Sequence, residues 1–140
     1  RGDHNRFSDT DLLGVSDGGR ILKPYDEAGL SFHVYPLPWL QAQAADGSLF
    51  LLHIVTEARV VFDPTSILGD LRAVFRYKAS YEQDIEVGCR VIAALRHIDQ
   101  DQFTEKLRRR YFWGLRTALM AFGAEQRNPS FSGNALERLS

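Results

Sequence analysis

The chain is poor in the features that mark several large classes of protein. It has one cysteine, Cys89, so no disulfide can form within it, and such usage is typical of a reducing compartment. We expect Cys89 to be a small buried hydrophobic residue. No apolar run approaches the ~18–20 residues that a membrane span requires. The formal net charge is −1, which gives no general attraction to nucleic acid or to acidic membranes.

Walker-type and dinucleotide-binding glycine motifs and histidine pairs with zinc-ligand spacing are also missing from the sequence. Neither a Walker loop nor a dinucleotide fingerprint occurs. The four histidines are scattered, without the spacing that would bring two together on one helix, so we do not expect a zinc site. Apolar residues, in contrast, make up 44% of the chain, which is enough to form a real core.

The first half of the chain, residues 1–64, has the pattern of a small sheet with flanking helices. Prolines and glycine turns break its apolar runs into short pieces. The run after Ser48 fits a buried strand or a buried helix, and Ser48 as an N-cap favours the helix. The predicted elements are strands at 12–15, 20–23, 30–35 and 59–62, a turn at 26–29, and helices at 39–45 and 49–58.

The second half, residues 65–140, has the apolar spacing of successive helices. Asp63-Pro64 predicts a helix start, because the acid can cap and proline suits the first helical position. The predicted helices carry apolar faces at 81–95 and 103–122, with a short last helix after Ser132. The expected fold class is α/β of the α+β type: a small mixed half-sheet flanked by helices, then a C-terminal helical bundle packed on it.

Two aspartates near the start carry the strongest chemical signal. If Asp9 and Asp11 lie on a strand, both side chains leave the same face, roughly 6–7 Å apart. Without a cation the two carboxylates repel, and one would tend to take up a proton. A divalent metal between them is more favourable, and hard oxygen ligands suit Mg²⁺ or Mn²⁺ rather than zinc. A solvated turn of acidic residues is the alternative interpretation.

The segment around these aspartates resembles the active site of the polymerase-beta-like nucleotidyltransferases. That family has a Gly-Ser turn, a further glycine, a short loop and then Asp-x-Asp on a strand. Here the similar residues are Arg1-Gly2, a short polar loop and Ser8-Asp9-Thr10-Asp11-Leu12-Leu13. Stretches at 35–40, 47–58 and 60–64 resemble bacterial stand-alone nucleotidyltransferase-domain proteins, and 109–119 and 129–136 are similar to their helical region.

The resemblance implies an enzyme that transfers a nucleoside monophosphate from a nucleotide triphosphate to an acceptor hydroxyl. It implies that Asp9 and Asp11 hold Mg²⁺ (or Mn²⁺) on the triphosphate, that 1–64 is the catalytic core, and that 65–140 is a helical region. The residues that would support the phosphates are Arg1, Gly2, Arg6 and Ser8. The family's upstream Gly-Ser turn is not in the sequence, so we expect a segment to precede Arg1.

One departure from the family concerns the third carboxylate, which usually lies on the strand after Asp-x-Asp. That strand, at 30–35, offers Ser31 or His33 at its inward positions, and neither is an acid. His33 is a candidate general base because histidine ordinarily titrates near neutrality, or it is a structural residue of the sheet. Glu57 is a further candidate, although an ordinary acid at a helix end explains it as well.

The function that follows is a cytoplasmic nucleotidyltransferase whose acceptor is a small molecule, a protein hydroxyl or an RNA end. A catalytically weak or inactive protein of the same fold is the alternative, acting as an antitoxin-like partner of another protein or as a homodimer. A third hypothesis is RNA binding through the basic run from Lys106 to Arg116, whose simpler explanation is a solvated face paired with nearby acids.

Overall fold

In the computed structural model, residues 10–18, 25–27 and 30–129 are described, and they form three strands followed by five helices. The elements are β1 (Thr10–Ser16), β2 (Tyr25–Glu27), β3 (Leu30–Pro36), α1 (Leu37–Ala45), α2 (Leu49–Glu57), α3 (Ile67–Val74), α4 (Glu82–Leu95), a 3₁₀ turn (Gln100–Gln102) and α5 (Glu105–Glu125). They fall into two compact units, which divide between Tyr77 and Lys78. The α+β class predicted from the sequence is confirmed.

The sheet of the first unit is mixed, with strand order β1–β3–β2. β1 runs parallel to β3, so the chain must cross over between them, and β2 pairs antiparallel with β3. The predicted turn at 26–29 was wrong at its first two residues, because Asp26 and Glu27 pair with β3. Pairing at the edge of a sheet outweighs the weak strand propensity of acidic residues. The predicted strand at 20–23 lies outside the described residues.

The first two helices form as the sequence predicts, because their start signals are local. Pro38 occupies the first turn of α1, where its missing N–H costs no helical hydrogen bond. Ser48 caps α2, and its hydroxyl accepts from the backbone N–H of Leu51 at 3.2 Å. Gly47, between the two helices, has a φ of 66°, a left-handed conformation that glycine adopts without a steric penalty.

Helices α1, α2 and α3 meet in the core of the first unit. The fully or almost fully buried cluster consists of Leu40, Ala44, Leu51 and Leu71. Val15 of β1 and Tyr35 of β3 pack against it from the sheet. The helices therefore cover one face of the parallel strand pair near its C-terminal end.

The connection between α2 and α3 differs from the prediction. No strand forms at 59–62, and Val61 and Phe62 are each 84% exposed. High strand propensity alone does not make a strand, since a strand also needs a partner and a surface to cover. We call Val60, Val61 and Phe62 the exposed apolar segment.

Helix α3 begins three residues later than Asp63-Pro64 suggests. The carboxylate of Asp63 accepts from the backbone N–H groups of Ile67 at 2.8 Å and Leu68 at 2.9 Å, across an intervening turn. These hydrogen bonds hold the pKa of Asp63 below its ordinary value of 3.8. The turn ends at Ser66, which has a left-handed φ of 59°. The acid thus caps the helix as predicted, but from outside the usual N-cap position.

The second unit is an antiparallel pair formed by α4 and α5. The helices approach closely where glycine faces glycine: a Cβ on Gly88 would lie 2.6 Å from the carbonyl oxygen of Gly114 and 2.7 Å from the backbone nitrogen of Ala118. Further along α5, Ala121 and Ala124 are fully buried. The predicted last helix after Ser132 lies outside the described residues.

Polar contacts around the buried Tyr81 join the start of α4 to the end of α5. The backbone N–H of Tyr81 donates to the carboxylate of Glu125. Lys78 forms a 2.7 Å ion pair with Asp84, and its carbonyl accepts from the Arg127 guanidinium at 2.9 Å. The hydrogen bonds with Glu125 and Arg127 therefore hold these two helix ends together.

Cys89 does not lie where the sequence placed it. We expected a buried residue, but the thiol is exposed on α4. Gly88 and Val91 face α5 instead, since an ideal helix turns about 100° per residue and Cys89 falls to one side of that contact.

The division between the units lies further along the chain than the boundary we placed after Pro64. Leu71 of α3 belongs to the core of the first unit, and the backbone N–H of Arg76 donates to the carbonyl of Ala44 at 3.0 Å. None of the helices in the described ranges is both long and apolar enough to cross a membrane.

Candidate functional site

Two predicted site residues, Asp11 and His33, lie on the same face of the parallel pair β1–β3. Asp11 is opposite Ser31 and Leu13 is opposite His33. Side chains alternate between faces along a strand, so Asp11, Ser31 and His33 share one face. Val15 and Tyr35 extend that face to the helical core.

The spacing of this face brings a carboxylate and an imidazole within reach of one substrate group. From a strand separation of ~4.8 Å and two rises of ~3.3 Å, the Cα atoms of Asp11 and His33 are about 8 Å apart. Asp11 is exposed, and within residues 10–18, 25–27 and 30–129 no cationic side chain lies within ion-pair distance of it. Within those ranges, its negative charge is therefore not neutralised by an ion pair.

Aromatic rings continue from His33 toward the core. The rings of His33 and Tyr35 are nearly parallel, with centroids 6.4 Å apart. Tyr35 stacks on Trp39 at 5.0 Å, and Phe50 of α2 packs at an angle against both. Because Tyr35 also contacts the buried leucines, the half-buried imidazole stands beside a firmly packed ring.

The remaining predicted site residues precede the described part of the chain. Arg1, Gly2, Arg6, Ser8 and Asp9 all lie outside it. The metal-binding pair of aspartates and the phosphate-supporting loop therefore stay predictions.

The register brings one further acid to this row of the sheet: Asp26 of β2 lies opposite Ser31, which in turn lies opposite Asp11. Glu57, the candidate from the neighbouring segment, lies 3.3 Å from the His53 imidazole one helical turn earlier. No group of three or more His, Cys, Asp or Glu side chains suited to a metal occurs in the ranges that the structure covers.

A second group of polar and aromatic side chains lies on α5. The basic run was predicted to lie on or beside the aromatic-rich helix, and Glu105 at its start pairs with Arg108 at 3.7 Å and Arg109 at 3.2 Å. The sequence did not indicate that Phe112 and Trp113 would remain 57% and 52% exposed. Their spacing from Arg109 and Arg116, at i, i+3, i+4 and i+7, was the signal that could have placed all four on one face.

Comparison with known proteins identified no relative of this chain. No protein-family model, no characterised protein and no solved structure matches the chain.

Proposed function

We propose that the chain is a cytoplasmic nucleotidyltransferase, which transfers a nucleoside monophosphate from a nucleotide triphosphate to an acceptor hydroxyl. The observation that carries the proposal is the register of β1 and β3, which aligns Asp11, Ser31 and His33 on one face. The sequence around Asp9 and Asp11 supplies the rest, since it resembles the Asp-x-Asp segment of such enzymes.

The donors on this face fit a hard divalent cation. Asp11 offers an exposed carboxylate with no cationic partner in the described residues, and Ser31 offers a hydroxyl from the neighbouring strand. Asp9 lies two residues before Asp11 and would complete the oxygen ligands. When bound, Mg²⁺ or Mn²⁺ would neutralise charge on the phosphates, which is the main requirement of phosphoryl transfer.

In this proposal His33 is the general base. Its imidazole accepts the proton of the acceptor hydroxyl as the hydroxyl oxygen bonds to the α-phosphorus of the nucleotide. The bond between that phosphorus and its bridging oxygen breaks, and pyrophosphate leaves with the bonding electrons. Arg1, Arg6, Gly2 and Ser8 would hold the leaving phosphates by donating N–H and O–H hydrogen bonds to the phosphate oxygens.

Calorimetry of ATP and GTP binding, each with Mg²⁺, tests the nucleotide site. We expect binding that requires both the metal and the two aspartates, so that Asp9→Asn/Asp11→Asn abolishes it. The matched control is Asp46→Asn/Asp70→Asn, which removes two exposed carboxylates elsewhere in the first unit. Absence of nucleotide binding by the unaltered protein would end the enzyme proposal.

His33→Gln separates binding from chemistry. We expect nucleotide affinity to stay near that of the unaltered protein, while pyrophosphate release in the presence of an acceptor falls by about 10²–10⁴-fold. Small-molecule, protein and RNA acceptors are compared in the same assay. An unchanged rate and pH profile in His33→Gln would show that another group takes the proton.

A second candidate function is a nucleotidyltransferase-fold protein that binds another protein and does not catalyse transfer. The observation that favours it is the exposed apolar segment, in which two side chains are each 84% exposed. Apolar side chains in contact with water are common at protein interfaces. Nucleotide binding that depends on Asp11, followed by transfer, would exclude this candidate.

A further inference from the structure

Four residues of α5 form a stripe on the face turned away from α4. Arg109, Phe112, Trp113 and Arg116 follow the i, i+3, i+4, i+7 spacing of one helix face. The opposite face, through Gly114 and the buried alanines, packs against α4. We call these four residues the aromatic–arginine stripe.

Positive charge is concentrated around the stripe, although the whole chain is nearly neutral. Between residues 105 and 116 there are five basic side chains and a single acid, Glu105. That acid pairs with Arg108 and Arg109. Arg110 and Arg116 have no carboxylate within ion-pair distance in the part of the chain that the structure describes.

The position of these charges is unfavourable for the helix itself. Four of the five basic residues lie in the first two turns of α5, where the helix dipole favours acids and disfavours bases. Two large aromatic side chains held more than half exposed are also unfavourable in water. Neither the basic residues near the start of α5 nor the exposed aromatic side chains stabilise the α4–α5 pair. A binding partner that contacts this face would explain both.

We propose that the aromatic–arginine stripe binds single-stranded segments of RNA. Arginine matches the geometry of phosphate, and exposed aromatic rings stack on bases whatever their sequence. A duplex hides the faces of its bases, so Phe112 and Trp113 would be of use only against unpaired nucleotides, which are characteristic of RNA loops and ends. This surface uses only residues of the second unit, whereas the proposed nucleotide site uses residues of the first.

Fluorescence anisotropy of the full chain with a labelled oligouridine of about twelve nucleotides is the test. With about three phosphates neutralised, we expect log Kobs to fall against log salt with a slope of about −2 between about 50 and 200 mM. Arg109→Gln/Arg116→Gln should weaken binding and make the slope shallower by about 1.4. Phe112→Ala/Trp113→Ala should weaken binding by about tenfold or more and leave the slope unchanged.

The matched control is Arg90→Gln/Arg96→Gln, which removes two exposed arginines from the α4 side of the same unit. It should change the affinity by less than about twofold. An equal loss in this control, a flat salt dependence, or no RNA binding by the unaltered chain would overturn the proposal, as would equal affinity for a duplex of the same length.

Two other outcomes would assign the stripe to a different partner and contradict RNA binding. Sedimentation that shows a dimer, converted to monomer by Phe112→Ala/Trp113→Ala, would make it an interface between two copies. Binding to phosphatidylserine vesicles that the same variants abolish, with no binding to RNA, would make it a membrane-surface helix. Circular dichroism of each variant checks that α4 and α5 remain folded.

Discussion

The two units of this protein bury their interiors in opposite ways. In the first, leucines from three helices meet in a cluster that Tyr35 and Val15 cover from the sheet. In the second, two helices approach until only glycine and alanine fit between them at Gly88, Gly114 and Ala121. Large side chains fill the space between the helices in the first core. At the glycine contact of the second, the two helix backbones lie so close that little space is left between them. Lost volume should therefore harm the leucine cluster, and added volume should harm the glycine contact between α4 and α5.

Each unit carries its own spectroscopic reporter, which makes the comparison measurable. The chain has two tryptophans, with Trp39 in the first unit and Trp113 in the second. In a Trp113→Phe background, urea unfolding followed by fluorescence reports the first unit, and in a Trp39→Phe background it reports the second.

The largest effect is expected from Leu71→Ala. This change removes a side chain that is 2% exposed at the centre of the first core, and should lower the free energy of unfolding by about 2–5 kcal/mol. Trp39 fluorescence measures it. Val74→Ala, at an exposed position of the same helix, should change stability by less than about 0.5 kcal/mol. Equal losses in the two variants would contradict a filled core.

In the second unit, a methyl group added at the contact between α4 and α5 should be destabilising. In Gly88→Ala the new Cβ meets backbone atoms of α5 at 2.6–2.7 Å, so the helices must separate. We expect a loss of about 1–3 kcal/mol in the transition reported by Trp113.

Gly69→Ala is the matched control for this change, because a Cβ there would meet only Ser66 at 3.9 Å. Gly69 lies at an exposed position of α3, where alanine should stabilise the helix by up to about 1 kcal/mol. Gly88→Ala that is as stable as the unaltered chain would show that the close approach is not required.

Helix caps offer a finer comparison between the units. Ser48 caps α2 at 3.2 Å in a partly buried setting, while Thr104 caps α5 at 3.4 Å in an exposed one. Ser48→Ala should cost about 1 kcal/mol and Thr104→Ala about 0.5 kcal/mol, each in its own fluorescence transition. Ser48→Thr keeps the cap acceptor and serves as control. A larger loss for Thr104→Ala would reverse the comparison.

The smallest effect concerns pH and is confined to the first unit. The pKa of Asp63 is lower in the folded chain, so its ionised form favours folding; this contribution is fully present above the unfolded pKa and is lost as the pH falls through the folded one. Asp63→Asn should therefore be less stable than the unaltered chain near neutral pH, and the difference should shrink below pH 3.8. A constant difference from neutral pH to about pH 2 would exclude this coupling.

Local signals predicted most of the fold. Ser48 fixed the start of α2, and apolar spacing found α4 and α5, because caps and periodicity act within a few residues of the chain. The predictions were wrong where contacts between residues far apart in the sequence determine whether a segment forms a strand or a side chain is buried. The exposed apolar segment has the composition of a strand but no partner among the described strands. Cys89 is apolar in character, but it lies to one side of the α4 residues that contact α5.

The candidate site was predictable only in part. Alternation along β3 put His33 on the inward face, and the observed register aligns it with Asp11. Register between strands is a long-range property that no single segment encodes. The stripe on α5 was missed for a similar reason, since exposure of Phe112 and Trp113 depends on which face α4 covers.

The exposed apolar segment has a consequence for the behaviour of the protein at high concentration. Three consecutive side chains of high strand propensity could nucleate intermolecular sheets, but Arg59 precedes them and Asp63-Pro64 follows. Charge repels a second copy, and proline cannot donate to a growing ladder, so these neighbours act as gatekeepers against fibril formation. The sequence thus limits aggregation without burying the segment.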